Sequence, residues 1–259
     1  MTASRSTTWR QWAGATLLLI AATTPVHAER LVASLSRHVV RITSSFVGDE
    51  ITLFGSVEND AGAEPLRRTY DIVATITGPR ENIVTRRKER MFGIWGNAEA
   101  RAFVDVPSYL AVLSTRPFQD IADVQTLSRQ EVGIASTAFP KIGPNALDDP
   151  FRQAFVRIKR ERDLYIETTN GVTFLTPTLY SASIVLPAAA PVGTYGVEVK
   201  LFADGGVIAR TDSAFEIDTV GFEQFVAASA ADHGLIYGIT TAAMALLTGW
   251  FASVLFRRD

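Results

Sequence analysis

The residue types that most often carry enzyme chemistry are scarce in this sequence. The chain has three histidines and no cysteine, which removes thiol catalysis, cysteine metal sites and disulfides. His27 falls in a segment that we expect to be removed, which leaves His38 and His233. No HExxH, GxSxG or P-loop motif is present, and no GxGxxG follows a strand. The sequence therefore predicts a protein that is not an enzyme and has no cofactor or metal site. A reaction would need a carboxylate pair that only the fold could bring together.

One pair of adjacent carboxylates, Asp148 and Asp149, could bind a cation. The pair stands directly before Pro150 and a helical pattern, where a carboxylate accepts hydrogen bonds from free backbone N–H groups. Proline also suits the first helical position. We therefore interpret the pair as a helix cap. A second acidic candidate, Asp204 followed by Gly205 and Gly206, is typical of a hairpin turn and not of a calcium loop.

Two runs of basic residues are the remaining candidates for binding. The first combines cations with aromatic residues: Arg86, Arg87, Lys88, Arg90, Phe92 and Trp95. The second follows a predicted helix, offset by two acids: Arg152, Arg157, Lys159, Arg160 and Arg162. Cations beside an indole could contact an anion or an anionic lipid, and we assign that contact to Arg86, Arg87, Lys88 and Trp95. A solvated face with local ion pairs explains both runs more simply, and we favour it.

The charge distribution argues against nucleic acid as a partner. The formal net charge of the chain is −2, and the stretch 29–233 carries 21 basic and 26 acidic residues. Binding to nucleic acid depends on neutralising phosphates, which a mildly acidic domain does not favour.

The first 28 residues have the pattern of a secretory signal peptide. Arg5 and Arg10 precede an apolar stretch of 11 residues, 12–22, which is shorter than the roughly 20 residues of a spanning helix. Val26 and Ala28 then suit the two small-residue positions of a cleavage site, so the mature chain would begin at Glu29. The alternative is an uncleaved anchor, which leaves the predicted topology unchanged.

The C-terminus has the pattern of a single membrane span. Residues 234–256 are 23 residues without a charge, which suffice to cross a hydrocarbon core of about 30 Å. Arg257 and Arg258 follow at once, in a tail at 257–259. Because positive residues favour the cytoplasmic side, we predict a bacterial inner-membrane protein with its N-terminal domain in the periplasm and its C-terminus in the cytoplasm.

The predicted span carries small residues on one face, which are Gly234, Gly238, Ala242, Ala245, Gly249 and Ser253. They fall within an arc of about 100° on a helix that turns by roughly 100° per residue. Small residues let two helices approach closely in lipid. We interpret this face as a helix-packing surface for a second copy or another membrane protein. The alternative is the ordinary abundance of small residues in single spans.

Strand patterns dominate both ends of the region between the apolar segments. The first group covers 39–46, 51–57, 70–76 and, with an exposed face, 82–90. The second group covers 180–187, 194–202 and 206–218, separated by Pro/Gly turns. Its phrase LP…PVGTYGVEVKLF is frequent in immunoglobulin-like (Ig-like) sandwiches, where a tyrosine, here Tyr195, opens a late strand. Between the groups, 117–130 and 150–163 favour helices, the second with Phe151, Phe155 and Ile158 on its buried face.

The predicted fold class is mainly β, with one exported Ig-like β-sandwich at 29–218. A mixed, helix-containing insertion at about 91–178 interrupts it. A helical juxtamembrane segment, 219–233, and the C-terminal transmembrane helix, 234–256, follow. The alternative is two small β domains, about 30–115 and 165–218, joined by a helical hairpin. We prefer one sandwich, because the second group has too few strands to close a sandwich alone.

The sequence resembles a family of alphaproteobacterial transmembrane proteins of uncharacterised function in four segments. They are Arg86–Asn97, Val104–Phe118, Leu179–Phe202 and the terminal span. The resemblance covers nearly the whole mature chain and implies no catalytic residue. It does imply a partner, because relatives are encoded beside a sulfite-exporter-type transporter. Such a multi-span protein would meet the small-residue face.

These observations predict a non-enzymatic accessory or scaffold subunit of a membrane complex. The supporting features are the small-residue face, the sandwich and the missing catalytic patterns. The alternative is a tethered periplasmic ligand-binding or sensing module, with its ligand held in the insertion near Trp95 and Tyr109.

Overall fold

The computed structural model describes residues 29–43, 46–58, 69–91, 93–219, 226 and 229–255, with the backbone alone at 91 and 144. The predicted signal peptide at 1–28 and the predicted tail at 257–259 lie outside these residues. So does about half of the predicted juxtamembrane segment.

Strands from both halves of the chain build each of two sheets. The first sheet is antiparallel and runs in the order β1 (Arg30–Leu35), β3 (Gly48–Glu58), β10 (Leu179–Pro187), β9 (Val172–Phe174). The second runs in the order β2 (Val39–Ile42), β12 (Gly206–Thr219), β11 (Gly193–Ala203), β4 (Asp71–Thr77), β7 (Leu110–Ser114), β8 (Tyr165–Thr169). Early strands pair with late ones in both sheets, so the two groups of strands form one sandwich.

Side chains from both sheets meet in one apolar core. On β3, Ile51, Leu53 and Val57 are buried, while Glu50, Thr52, Phe54 and Glu58 between and beside them are exposed. This is the period of two that a half-buried strand requires. In contrast, β7 is buried at every position. The helix Ile134–Ala138 of the insertion packs against it, and a strand covered on both faces has an unbroken apolar sequence.

Two details identify the sandwich as Ig-like. The sheet orders correspond to the A-B-E-D and G-F-C pairings of Ig domains, with β2 added parallel to β12. At the start of β11, the hydroxyl of Tyr195 donates a hydrogen bond to the carbonyl of Pro191 at 2.7 Å, which is the tyrosine corner of such folds. The predicted fold class is confirmed.

A long hairpin continues one pair of strands beyond the second sheet. It consists of β5 (Arg80–Met91) and β6 (Ile94–Pro107), and we call it the β-arm. The backbone N–H groups of Gly78 and Ser108 each donate across the hairpin, at 2.8 and 2.9 Å, so the ladder between β4 and β7 runs on into the arm. The 12 residues of β5 would span about 40 Å if straight.

A helical unit connects β7 to β8 beside the arm. Its elements are α1 (Phe118–Ile121), α2 (Val124–Arg129), α3 (Ile134–Ala138), a 3-10 helix (Gly143–Asp148) and α4 (Pro150–Glu161). The prediction of one helix over 117–130 is wrong. The backbone of Ala122 is extended and ends α1, and the carboxylate of Asp123 accepts from the N–H of Thr126 at 2.5 Å and begins α2.

The C-terminal helix, α5 (Gly234–Leu255), is long and apolar enough to cross a membrane, and its window of highest hydropathy is not buried by the described chain. Its 22 residues correspond to a length of about 33 Å. The prediction of one C-terminal helix that could span a membrane is therefore confirmed.

Candidate functional site

The distal half of the β-arm brings together the cations and the indole that the sequence singled out. The strand register places Lys88 opposite Asn97 and Arg90 opposite Trp95, so Arg86, Arg87, Lys88 and Trp95 lie at one end of the hairpin. We call this end the tip, residues 86–97. Two large apolar side chains there face solvent, because Ile94 is 75% exposed and Trp95 is 69% exposed.

The charges at the tip are only partly paired. The guanidinium of Arg87 lies 2.6 Å from Glu89 and 3.6 Å from Glu99, and all three side chains are about half exposed. Ion pairs at such exposure stabilise a fold by little. In the part of the chain that the structure describes, no carboxylate lies within ion-pair distance of Arg86, Lys88 or Arg90. A solvated face with local ion pairs therefore fits Arg87 but leaves Ile94 and Trp95 without an explanation.

Ile94 is the tip residue that the sequence analysis missed. A signal was present, since two extended patterns of similar length flank Phe92 and Gly93. Glycine favours a turn that needs positive φ, and Gly93 has a φ of 87°. A hairpin centred there places Ile94 at its end.

A cleft of about 360 Å³ opens between the base of the arm and the helical unit. Its lining consists of Arg101–Val106, Ala138–Ile142, Arg80 and Arg152. Carboxylates of the chain already reach all three guanidinium groups. Asp149 pairs with Arg101 and, at 3.4 Å, with Arg152, and Asp105 lies 3.8 Å from Arg80. The remaining lining includes the ring of Phe103 and the side chain of Lys141, so the cleft combines apolar and cationic residues with one carboxylate, Asp105.

Asp149 is a structural residue. Its carboxylate accepts a hydrogen bond from the backbone N–H of Phe151 at 3.0 Å and caps α4, as its position before a proline predicts. The two exposed histidines lie elsewhere, His38 before β2 and His233 before α5. Among the described residues, no cluster of three or more His, Asp or Glu side chains could hold a metal ion.

The second basic run does not form one surface. Lys159 is 6% exposed, and its ammonium pairs with Glu81 of the arm and donates to the carbonyl of Ser108 at 2.9 Å. The interpretation of the run as a solvated face is therefore wrong for Lys159. The arm folds across α4, and Lys159 supplies a polar link between them. On the outer side of α4, Arg160 pairs with Glu167 at 3.2 Å.

Trp95 and Tyr109 do not share a site. Tyr109 is fully buried, its hydroxyl donates to the carbonyl of Val185 at 2.7 Å, and its ring lies 5.6 Å from that of Tyr195. Burial raises the pKa of the Tyr109 phenol well above its ordinary value. About 45 Å of extended chain separates the two residues. A ligand held near both Trp95 and Tyr109 is excluded by this placement, and Tyr109 belongs to the core.

The small-residue face of α5 has no partner in the described part of the chain. A Cβ atom added at Gly234, Gly238 or Gly249 would meet no atom within 4 Å. The other members of the face, Ala242, Ala245 and Ser253, are exposed as well. The larger apolar side chains of α5, such as Leu246, are equally exposed, which is the state of a helix that lipid or another protein must cover.

Comparison with known proteins matches one family of transmembrane proteins. No curated protein matches the chain. Residues 30–258 match the model of a family described as "Putative transmembrane protein (Alph_Pro_TM)". The matched range contains both sheets, the β-arm, the helical unit and α5, which confirms the resemblance seen in the sequence. The chain belongs to the Alph_Pro_TM family of transmembrane proteins.

Proposed function

We propose that this chain is a non-enzymatic accessory or scaffold subunit that binds another membrane protein through the small-residue face of α5. The observation that carries the proposal is this face, with small residues on one arc of a single span and open space beside its glycines. In lipid, helix association depends on close packing and not on water. A face that permits such packing suits a second helix.

The proposed topology follows from the two ends of the chain. Residues 1–28 act as a signal peptide, the Ig-like domain lies in the periplasm, and the C-terminus lies in the cytoplasm beside Arg257 and Arg258. The family resemblance suggests a multi-span transporter of the sulfite-exporter type as the partner. A second copy of the chain is the other candidate for the same face.

The test enlarges the face at two glycines. In the full chain, Gly238→Leu with Gly249→Leu should lower recovery of the co-purifying membrane protein about tenfold, because the added side chains prevent close approach of the helices. Such a loss corresponds to about 1.4 kcal/mol of binding free energy. The measurement is affinity purification from detergent-solubilised native membranes, followed by native electrophoresis and identification of the bound proteins.

The matched control adds the same bulk to the opposite arc of α5, with Thr240→Leu and Ala243→Leu. These changes should leave the complex intact, because their side chains point away from the small-residue face. Recovery of the unaltered chain alone, as a monomer, would contradict the proposal. So would a complex that survives the two glycine changes.

A second candidate function is that of a tethered module that binds a small anion. The cleft at the base of the arm supports it, with Arg80, Lys141 and Arg152 beside the ring of Phe103. We expect an anion that fills this cleft to raise the Tm of the full chain by about 5–10 °C at a hundredfold excess over Kd. Phosphate, sulfate and small carboxylates are suitable probes in a thermal-shift series. Lys141→Gln should abolish most of the increase, and an equal response in the variant would rule out the cleft.

A further inference from the structure

The β-arm leaves the sandwich at the same end as the chain that leads to α5. In the second sheet, Gly196 of β11 lies opposite Thr77, the last residue of β4. Three residues earlier in β11, Gly193 lies opposite Ile217, near the end of β12. The strand that continues into the arm and the strand that continues toward the membrane therefore run to the same end of the sheet, in the same direction.

The arm extends toward the membrane by a length comparable to that of the chain before α5. Carrying the register across β11 places Thr219 level with about residue 82 of the arm. The rest of β5 extends about 30 Å further. From Thr219 the chain has 15 residues to reach the first residue of α5, a reach of about 22 Å if helical and about 50 Å if fully extended. The length of the arm beyond Thr219 falls between these two limits, so the tip reaches the level of α5 if the intervening chain spans no more than about 30 Å.

The helical unit supports the base of the arm and reaches residues 85–88, which line a cleft with Phe151 and Arg157 of α4, while Ile94 and Trp95 lie beyond it. The ring of Phe103 on β6 lies 5.0 Å from that of Phe155 on α4, and the guanidinium of Arg101 lies over the ring of Phe151 at 5.1 Å. These contacts and the Lys159–Glu81 pair lie along the proximal half of the arm. The direction of the arm is therefore set by packing, while Ile94 and Trp95 extend beyond it.

The chemistry of the tip suits the polar surface of a bilayer. Tryptophan concentrates at the boundary between headgroups and acyl chains, and cations beside it attract anionic phosphates. Within residues 86–97 there are four cations and one carboxylate, Glu89. Ile94 and Trp95, the large apolar side chains of the tip that the structure describes, form a smaller patch than a stable protein interface, which buries about 800 Å² on each partner. They are sufficient to enter a headgroup layer.

We infer that the tip of the β-arm docks on the anionic surface of the bilayer that α5 crosses. Ile94 and Trp95 enter the headgroup region, and Arg86, Lys88 and Arg90 contact lipid phosphates. The Ig-like domain is thereby held at two points, the span and the arm, and does not swing freely on the segment before α5. This contact goes beyond the proposed function and needs no partner for α5.

The absence of cysteine makes a specific label simple to place. Ile94→Cys, labelled with an environment-sensitive fluorophore, is reconstituted as the full chain in vesicles of phosphatidylcholine mixed with phosphatidylglycerol. We expect blue-shifted emission and quenching by nitroxide-bearing lipid. Leu175→Cys is the matched control, since Leu175 is 60% exposed. It lies beside Leu179 at the start of β10, whereas Tyr109, next to the base of the arm, contacts Val185 near the other end of that strand. Its label should show neither effect.

The cations are tested on the labelled background. Arg86→Gln with Arg90→Gln should reduce quenching about tenfold in the mixed vesicles, since each cation near an anionic surface contributes substantially to binding. The same changes should have little effect in phosphatidylcholine alone. Arg129→Gln with Arg210→Gln removes equal charge from exposed residues elsewhere and should leave the signal unchanged.

Two results would overturn the inference. One is an Ile94 label that remains as exposed to water as the Leu175 label in both kinds of vesicle. The other is protection of the Ile94 label in native membranes but not in lipid vesicles, which would assign the tip to a protein partner. Gly238→Leu with Gly249→Leu should not change the signal in vesicles, so the proposal for α5 and the inference for the tip fail independently.

Discussion

Replacing Gly55 with alanine should lower the free energy of unfolding by about 3 kcal/mol or more, the upper part of the range for overpacked cores. A Cβ atom at residue 55 would lie 2.0 Å from the carbonyl oxygen of Val32 on β1 and 2.5 Å from the hydroxyl of Tyr180 on β10. That hydroxyl donates to the same carbonyl at 3.0 Å. Tyr180 thus lies across Gly55 and links β1 and β10, the two strands that flank β3. Neither the carbonyl of Val32 nor the hydroxyl of Tyr180 can move away from the added Cβ atom without breaking the sheet.

The effect is measured as the shift in Tm of the full chain in detergent, followed by circular dichroism. A loss of this size corresponds to a fall of about 6–12 °C for a domain of this length. Gly196→Ala on β11 is the matched control, because its added Cβ would meet only the hydroxyl of Thr77 at 3.3 Å. It should cost less than about 1 kcal/mol. An unchanged Tm for Gly55→Ala would contradict the packing of β1, β3 and β10 described above.

The sequence predicted the sandwich well where the signals were local. Tyr195 follows a Pro/Gly turn, and its neighbours alternate, so both the strand and its place in an Ig-like fold could be recognised. Strand β4 was equally clear, since it is apolar and ends at a Gly-Pro pair. Strand β1 was missed. It lies at the edge of its sheet and buries only Leu31 and Leu35, which leaves too weak an alternation to recognise.

The candidate surfaces were harder to predict because they depend on register and long-range packing. The tip is exposed on both faces, so its residues have no pattern of burial, and a basic run there looks like any solvated strand. The burial of Lys159 depends on Glu81, which lies 78 residues away in the chain. The small-residue face of α5 needed no such information, because its spacing alone defines a helix surface.

The prediction that bears most on the β-arm concerns Phe155 of α4. Its side chain is 2% exposed, and its ring lies 5.0 Å from Phe103 of the arm, 6.0 Å from Phe139 and 5.7 Å from Tyr165 of β8. Phe155→Ala should cost about 3–5 kcal/mol, because it removes the ring that joins the arm, the helical unit and the second sheet. Phe54→Ala is the control, since Phe54 is 42% exposed on the outer face of β3.

The part of the chain that loses protection distinguishes two explanations of this destabilisation. Either Phe155 supports the arm specifically, or it is only one large side chain of a common core. If Phe155 fixes the arm, amide hydrogen exchange in the Phe155→Ala variant should accelerate first in β5, β6 and α4. The amides of β3 and β10, in the opposite sheet, should remain protected under the same conditions. Docking of the tip should weaken in parallel, because an arm without its support no longer holds Ile94 and Trp95 at one depth. Equal acceleration of exchange in both sheets would instead show that the arm and the sandwich open as one unit. Phe155 would then not support the arm separately from the sandwich.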